Sequence, residues 1–249
     1  MKMYGLIGFP LQHSFSSKFF NEKFLQEGID AEYVNFEIEH IHELRNTLVF
    51  NPHLKGLNVT IPHKEAVIPF LDDISAEARE IGAVNTIKIE RSFGNMYGYK
   101  LKGYNTDYVG FKNSIAPLIH SDIHKQALVL GTGGASKAVC KALDDLGIER
   151  TYVSRNPKEG ALTYDTLTAE TVVANKIIIN TTPLGTFPNV ADSPNIPYHA
   201  LTSQHLLYDL VYNPTETSFL KKGSDMGASI KNGAEMLELQ ALAAWDIWQ

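Results

Sequence analysis

Gln126-Ala127-Leu128-Val129-Leu130-Gly131-Thr132-Gly133-Gly134-Ala135-Ser136 is the stretch on which the fold turns. An apolar run ends in a glycine turn, and Ala138, Val139, Ala142, Leu143 and Leu146 then recur at helical spacing until Gly147. Strand, glycine turn and helix in that order let backbone amides approach a pyrophosphate, and the start of the helix places a favourable field on its charge. Ser136 stands where the dinucleotide-binding fingerprint usually has its third glycine, and it is small enough for close packing of helix on strand. A tight turn with no ligand is the plain alternative, and the flanking strand and helix weigh against it. The Gly-Lys-Ser/Thr ending of a triphosphate loop is absent.

About 20 residues further on, where an NAD site would place a carboxylate for the ribose, the chain has Ser154-Arg155-Asn156-Pro157-Lys158. Arg155 offers a planar donor pair to a 2′-phosphate and Lys158 a second positive charge, which favours NADP over NAD. The alternative is a solvated loop arginine. Thr151 to Ser154, Lys176 to Asn180 and His205 to Val211 supply further strands, Thr217 to Lys222 a connecting helix, and Ala234 to Trp248 a terminal helix. Arg155 to Ala174 is too short for a full crossover helix with its two loops, so one helix is expected to be truncated or missing.

Upstream, Tyr4 to Gly8, Glu32 to Phe36 and Lys55 to Val59 are short apolar runs separated by helical patterns at Ser16 to Gly28 and Ile41 to Val49, an alternation that implies a parallel sheet. A helix beginning near His63 carries Val67 and Phe70. Ala83 to Ile89 pairs through a Gly94-Asn95 turn with Met96 to Leu101. Gly103-Tyr104-Asn105-Thr106-Asp107 then introduces a helix, so the first domain ends near residue 103.

At 249 residues the chain suffices for one large domain or two modest ones. A net charge of −6 argues against nucleic acid or an anionic membrane as the main partner. One cysteine, Cys140, excludes an internal disulfide and a cysteine-rich metal site, and its place among the packing positions of a helix makes it a core thiol. No signal segment or membrane-spanning apolar run is visible, and the expected location is the cytoplasm. Of nine histidines, His40 with His42, and His120 with Asp122 and His124, come nearest to ligand spacing, but none matches a metal signature.

Reducing a ketone needs a hydride donor on one side of the carbonyl and a proton donor near its oxygen. Lys64 follows Thr60-Ile61-Pro62-His63 at the end of a strand, and Asp107 opens a helix; both can project from one end of a sheet, where open α/β folds bind ligands. Singly, such a lysine is usually solvated and such an aspartate a helix cap. Ser14 and Ser16 flank a helix start after Gly8-Phe9-Pro10 and offer neutral donors for a carboxylate, unless they serve only as caps.

The ordered blocks Gly8 to Ser16, Gly56-Leu57-Asn58-Val59-Thr60-Ile61-Pro62-His63-Lys64, Gly82-Ala83-Val84-Asn85-Thr86, Gly103 to Asp107, Asn180-Thr181-Thr182-Pro183-Leu184-Gly185, Asp209-Leu210-Val211-Tyr212-Asn213-Pro214 and Asn232-Gly233-Ala234-Glu235-Met236-Leu237 through Gln240 resemble the shikimate dehydrogenase family over nearly the whole chain. The resemblance implies an α/β fold of two domains. Residues 1–103, completed by a returning helix at 233–249, would be a mostly parallel substrate domain, and 104–232 a Rossmann-like NADP domain. Lys64 and Asp107 would act together in catalysis. Ser14 and Ser16 would hold the substrate carboxylate, with Thr60, Lys64, Asn85, Asp107 and Gln240 on the ring hydroxyls and Tyr212 nearby. NADP would rest on Gly131, Gly133, Gly134 and Ala135, with Ser154, Arg155, Asn156 and Lys158 around the 2′-phosphate and Thr181, Leu210, Gly233 and Met236 by the ribose and nicotinamide. The implied activity is reversible reduction of 3-dehydroshikimate to shikimate by a monomer or homodimer.

Three departures from the family pattern stand out: Ser17 where proline is usual, Ser154 where asparagine is usual, and, the larger one, the short stretch after Lys158, which bears on the adenosine pocket. A relative that also takes quinate or NAD, and a noncatalytic dinucleotide-binding regulator, are the competing readings.

Overall fold

The computed structural model describes residues 1–11, 15–91 and 98–249; Ser14 and the Gly94-Asn95 turn lie outside the described residues. The chain divides into two compact units, Met1–Thr106 with Ala241–Gln249, and Asp107–Gln240. The sequence alone places those divisions near 103 and 233.

The first unit carries strands β1 (Lys2–Gly8), β2 (Ala31–Glu37), β3 (Leu54–Val59), β4 (Asp73–Ile74), β5 (Thr86–Arg91) and β6 (Tyr99–Tyr104), with helices α1 (Phe15–Gln26), α2 (Leu44–Phe50), α3 (His63–Ala66) and α4 (Ala76–Ile81). The sheet order is β2-β1-β3-β5-β6-β4. Pairings β1–β2, β1–β3 and β4–β6 are parallel, whereas β5 runs antiparallel to both β3 and β6. The register sets Ile7 opposite Val59, Asn58 opposite Thr86 and Thr86 opposite Tyr104. The ends of β1, β3 and β6 and the start of β5 therefore share one edge of the sheet.

Side chains alternate across this sheet, as strand geometry requires. Ile7, Leu57, Val59 and Ile87 pack on one face with Leu44 and Leu48 of α2. Tyr4, Leu6 and Tyr33 pack on the other with Phe20 and Phe24 of α1 and with Ala241, Ala244 and Trp248 of the returning segment. Gly56 has no side chain because a Cβ there would collide with the Trp248 indole, whose Nε1 donates to Ile87 O at 3.0 Å. The helical pattern at His63 gives only the single turn of α3, and Ile68–Phe70 continues as a tighter turn. Pro69 lacks the N–H that an α-helix would use there. Strand β4 and helix α4 are additions to the sequence reading; Ser75 caps α4 by accepting from Ala78 N, and Gly82 ends it at φ +68°.

The second unit contains α5 (Thr106–Ile115, its first residue in the first unit), α6 (Gly134–Asp145), α7 (Ala169–Ala174), α8 (Ser218–Asp225) and most of α9 (Ala234–Trp248). Its strands are β7 (Gln126–Leu130), β8 (Glu149–Ser154), β9 (Ala161–Thr163), β10 (Ile177–Asn180), β11 (Leu206–Asp209) and β12 (Ser229–Lys231). All are parallel, in the order β12-β11-β10-β7-β8-β9. Ala127, Val129, Ile177 and Ile179 face one side of this sheet and Leu128, Leu130 and Ile178 the other, so its central strands are buried on both faces. The chain turns outward in opposite directions from β7 and β10, which makes their carboxyl ends the switch point where such sheets bind ligands. Between β8 and β9 there is a loop and no helix, the truncation that the length of that segment implies. Among the described residues no helix is long and apolar enough to cross a membrane.

Candidate functional site

In the first unit the shared sheet edge gathers the polar residues. Thr60 N donates to Ile7 O at 2.9 Å and Phe9 N to Ile61 O at 3.0 Å, which ties the loop after β3 to the loop after β1. Gly8 permits this, since a Cβ there would meet the Thr60 methyl and the Ile61 carbonyl. Half-buried Lys64 stands on α3 with its backbone fixed on both sides. His63 N donates to Thr60 O at 2.9 Å, and Val84 N donates to Lys64 O at 2.7 Å. The buried His63 ring anchors the turn through Nε2 on Ile38 O at 2.8 Å.

Asn85 is buried at the same edge, and its orientation is settled by chemistry. The Thr106 backbone N–H, which can only donate, reaches Asn85 Oδ1 at 2.7 Å, so the opposite end of that amide carries the NH2. Thr86 and Thr106 hydroxyls also lie on Asn85 Oδ1, at 3.1 and 3.2 Å, and among the described residues nothing takes up Nδ2. Asp107, buried in the first turn of α5, is the next residue after this clasp and opens the second unit. Ser16 is half-buried in the first turn of α1.

In the second unit, Gly131 turns the chain at φ +107°, a conformation that L side chains rarely adopt, and a Cβ there would press on Thr181. Gly133 differs. It begins α6 with φ −81°, which any residue adopts, and a Cβ on it would have nothing within 4 Å. No packing inside the protein explains glycine here; open space over backbone N–H groups at the start of a 12-residue helix is what a pyrophosphate fills. The turn therefore fits a dinucleotide. Ser136 is buried and closes it from below, its Oγ donating to Gly133 O at 2.7 Å, with Gly134 and Ala135 half-buried between them. At the end of β8, Ser154 pairs with Thr163, and Arg155, Asn156 and Lys158 follow in the exposed loop.

Thr181 does not present its hydroxyl outward: Oγ1 donates to Leu130 O at 2.7 Å, beside Gly131. Leu210 N donates to Asn180 O at 3.0 Å, and Gly233 lets the chain close on the Leu210 carbonyl. Met236 is buried in the core of this unit. Gln240 is buried as well, with Nε2 donating to Leu237 O at 2.9 Å, and Gly110 of α5 leaves room for the backbone of α9 at Met236 and Gln240. Tyr212 is exposed.

Several residues that set these loops carry no role in the sequence reading. Asp209 Oδ1 accepts from Asn180 Nδ2 at 2.9 Å and Val211 N at 3.0 Å, and Oδ2 from Thr217 at 2.6 Å. Burial pushes its carboxyl up to about 6, against the pull of those donors. Asn180 Oδ1 in turn holds the Thr182 hydroxyl at 2.6 Å. In the first unit Asn58 and Thr86 play a similar part, Asn58 Nδ2 donating to Thr86 Oγ1 at 3.2 Å. The available signal was a polar residue ending or interrupting an apolar strand, as in Ile177-Ile178-Ile179-Asn180 and Leu57-Asn58-Val59. Among the histidines considered for metal, His124 is buried, and its Nδ1 accepts from His120 N at 3.0 Å.

Residues 6–87 match the family described as shikimate dehydrogenase substrate binding domain. The shikimate dehydrogenase (NADP(+)) of Clostridium beijerinckii is 42% identical over 262 residues, covering 100% of this chain and 92% of that protein. The crystal structure of shikimate dehydrogenase from Aquifex aeolicus superposes with a TM-score of 0.84 at 36% identity, over 100% of this chain and 92% of that one. Shikimate 5-dehydrogenase of Thermus thermophilus, solved in complex with NADP(H) and shikimate, gives a TM-score of 0.83 at 29% identity, over 100% and 94%. With two α/β units, a glycine cradle ending β7 and full-length likeness of this degree, the chain belongs to the shikimate dehydrogenase family.

Proposed function

We propose that the protein is an NADP-dependent oxidoreductase that interconverts 3-dehydroshikimate and shikimate. The observation that carries this reading is the register of the first sheet, which brings the loops bearing Thr60, Lys64 and Asn85 to one edge. The open glycine cradle of the second unit supports the cofactor, and relatives named as NADP-dependent shikimate dehydrogenases support the substrate.

Ser14 and Ser16 hold the substrate carboxylate. Thr60, Asn85 and Gln240 bind the ring hydroxyls, and the Asn85 NH2 left over by the Thr106 clasp is the donor presented to an oxygen. The backbone N–H groups of Gly133, Gly134 and Ala135 receive the pyrophosphate, and Arg155, flanked by Ser154, Asn156 and Lys158, receives the 2′-phosphate. NADP(H), when bound, supplies or accepts the hydride. Lys64 as ammonium gives a proton to the alkoxide oxygen during reduction and takes one from the alcohol during oxidation. Asp107 acts with Lys64 in this transfer.

Steady-state assays of reduced nicotinamide formation, with shikimate or quinate and with NADP+ or NAD+, test the reading. Turnover should be fastest with shikimate and NADP+. Tight NADP+ binding without turnover of either acid would instead favour a regulator.

A further inference from the structure

Behind the candidate substrate residues runs a buried file of side chains that the proposed chemistry does not use. Tyr33 of β2 is buried, its ring stacked on Phe20 at 4.9 Å, and its hydroxyl donates to Asn58 Oδ1 at 2.7 Å. Asn58 Nδ2 donates to Thr86 Oγ1 at 3.2 Å, and Thr86 Oγ1 lies 3.1 Å from Asn85 Oδ1. The Asn85 carbonyl at 3.4 Å holds Asn58 Nδ2 as a donor, while the Thr86 hydroxyl also lies 3.1 Å from the Thr106 hydroxyl, where either can donate. The Thr106 N–H makes Asn85 Oδ1 an acceptor, and so Thr86 donates to it. Thr86 then accepts from Asn58 Nδ2, which turns Asn58 Oδ1 toward Tyr33. Tyr33 must be the donor to Asn58, which leaves the lone pairs on its oxygen for one more partner.

The Ser16 side chain works against the rise in pKa that burial imposes on the phenol. Helix α1, which carries Ser16, is clamped to the same residue a second time. Asn21 Oδ1 accepts from Tyr33 N at 2.9 Å, and Asn21 Nδ2 donates to Tyr33 O at 2.9 Å. Tyr33 thus holds both ends of the candidate substrate edge, α1 with Ser16 through its backbone on Asn21, and Asn85 through Asn58 and Thr86.

We propose that Tyr33 is a positioning residue for substrate recognition, its backbone holding the helix of the carboxylate-binding serine while its hydroxyl, through Asn58 and Thr86, holds the hydroxyl-binding asparagine against it. This rests on the function proposed above. A phenylalanine would keep the ring packing and remove only the oxygen, whereas a general loosening of the core would come from any other member of the aromatic cluster.

Tyr33→Phe should raise the KM for shikimate about tenfold, keep kcat within about twofold, and leave the Kd for NADP+ unchanged in a direct binding titration. Phe20→Leu, which loosens the same cluster without removing a hydrogen-bonding atom from the file, should lower Tm at least as much and leave KM alone. Thr86→Val cuts the file at its other end, keeps the side-chain shape, and should raise KM in the same sense, so it decides the matter even where Tyr33→Phe folds poorly. In the Ser16→Ala background, Tyr33→Phe should add less than about twofold. A Tyr33→Phe enzyme with ordinary KM, or a Phe20→Leu enzyme with the same KM rise, overturns the inference while shikimate turnover by the parent stands. A parent inert toward shikimate overturns the proposed function as well.

Discussion

The two sheet edges achieve polarity by opposite means. In the first unit it comes from side chains that other side chains hold in place: Tyr33 on Asn58, Asn58 on Thr86, Thr86 and Thr106 on Asn85. In the second it comes from the backbone, exposed because Gly131 and Gly133 carry nothing that would cover it. Side-chain donors can be spaced to match one arrangement of hydroxyls and a carboxylate, and a change of one member leaves a buried partner unsatisfied. Backbone N–H groups at a helix start recognise a charge that every dinucleotide shares. The first edge is therefore suited to choosing among acids, and the second to holding a common group, with selectivity delegated to residues beyond the turn.

The sharpest way to break this contrast is at Lys64, the ionisable side chain on the first edge to which the proton transfer is assigned. Lys64→Ala should lower kcat by about 10³, within the range general acid–base groups contribute, and change KM for shikimate only slightly. The folded protein should persist, because α3 is held by backbone bonds at His63 and Lys64 and by the His63 ring, none of which needs the Lys64 amine. Near-normal turnover would remove Lys64 from the chemistry and leave the first edge as a binding surface.

The glycine edge was legible in the sequence and the side-chain edge only in part, for a physical reason. A glycine turn between strand and helix is a local pattern, complete within Leu130 to Ser136. The bond from Tyr33 to Asn58 joins residues 25 positions apart, and that from Asn58 to Thr86 spans 28. Periodicity says which face of a strand a residue takes, but not which residue of another strand it will meet. The same limit hides where side chains of the second unit go: the Thr181 hydroxyl is used on Leu130 O, and Met236 packs in the core. Short elements escaped for another reason: two residues of β4 and three of β9 show no alternation to read.

A smaller effect should separate the edges at Gly133. Because a Cβ there meets nothing inside the protein, Gly133→Val should leave Tm within about 4 °C of the parent, the change expected for a weaker helix cap. The same side chain would stand where the pyrophosphate must approach, so the Kd for NADP+ should rise on the order of 100-fold. Shikimate affinity, measured by calorimetry without cofactor, should not change. Retained NADP+ affinity would mean that the phosphates rest elsewhere and that the open space over Gly133 has another purpose.

The smallest effect belongs to the residues beyond the turn, where the backbone edge must borrow a side chain to choose between cofactors. Arg155 follows β8 in an exposed loop, with Lys158 three residues on. A charge-assisted pair to a 2′-phosphate is worth about 1.5–3 kcal/mol when shielded, and exposure to water and salt reduces that. Arg155→Ala should therefore weaken NADP+ by about tenfold and leave NAD+ unchanged, since NAD+ has no 2′-phosphate to lose contact with. The difference should shrink as salt is raised, because exposed charges are screened over about 10 Å at 0.1 M ionic strength. Equal losses for both cofactors would show Arg155 acting on the adenosine they share, and selectivity would then have to come from Lys158 or from the Ser154 and Asn156 side chains around it.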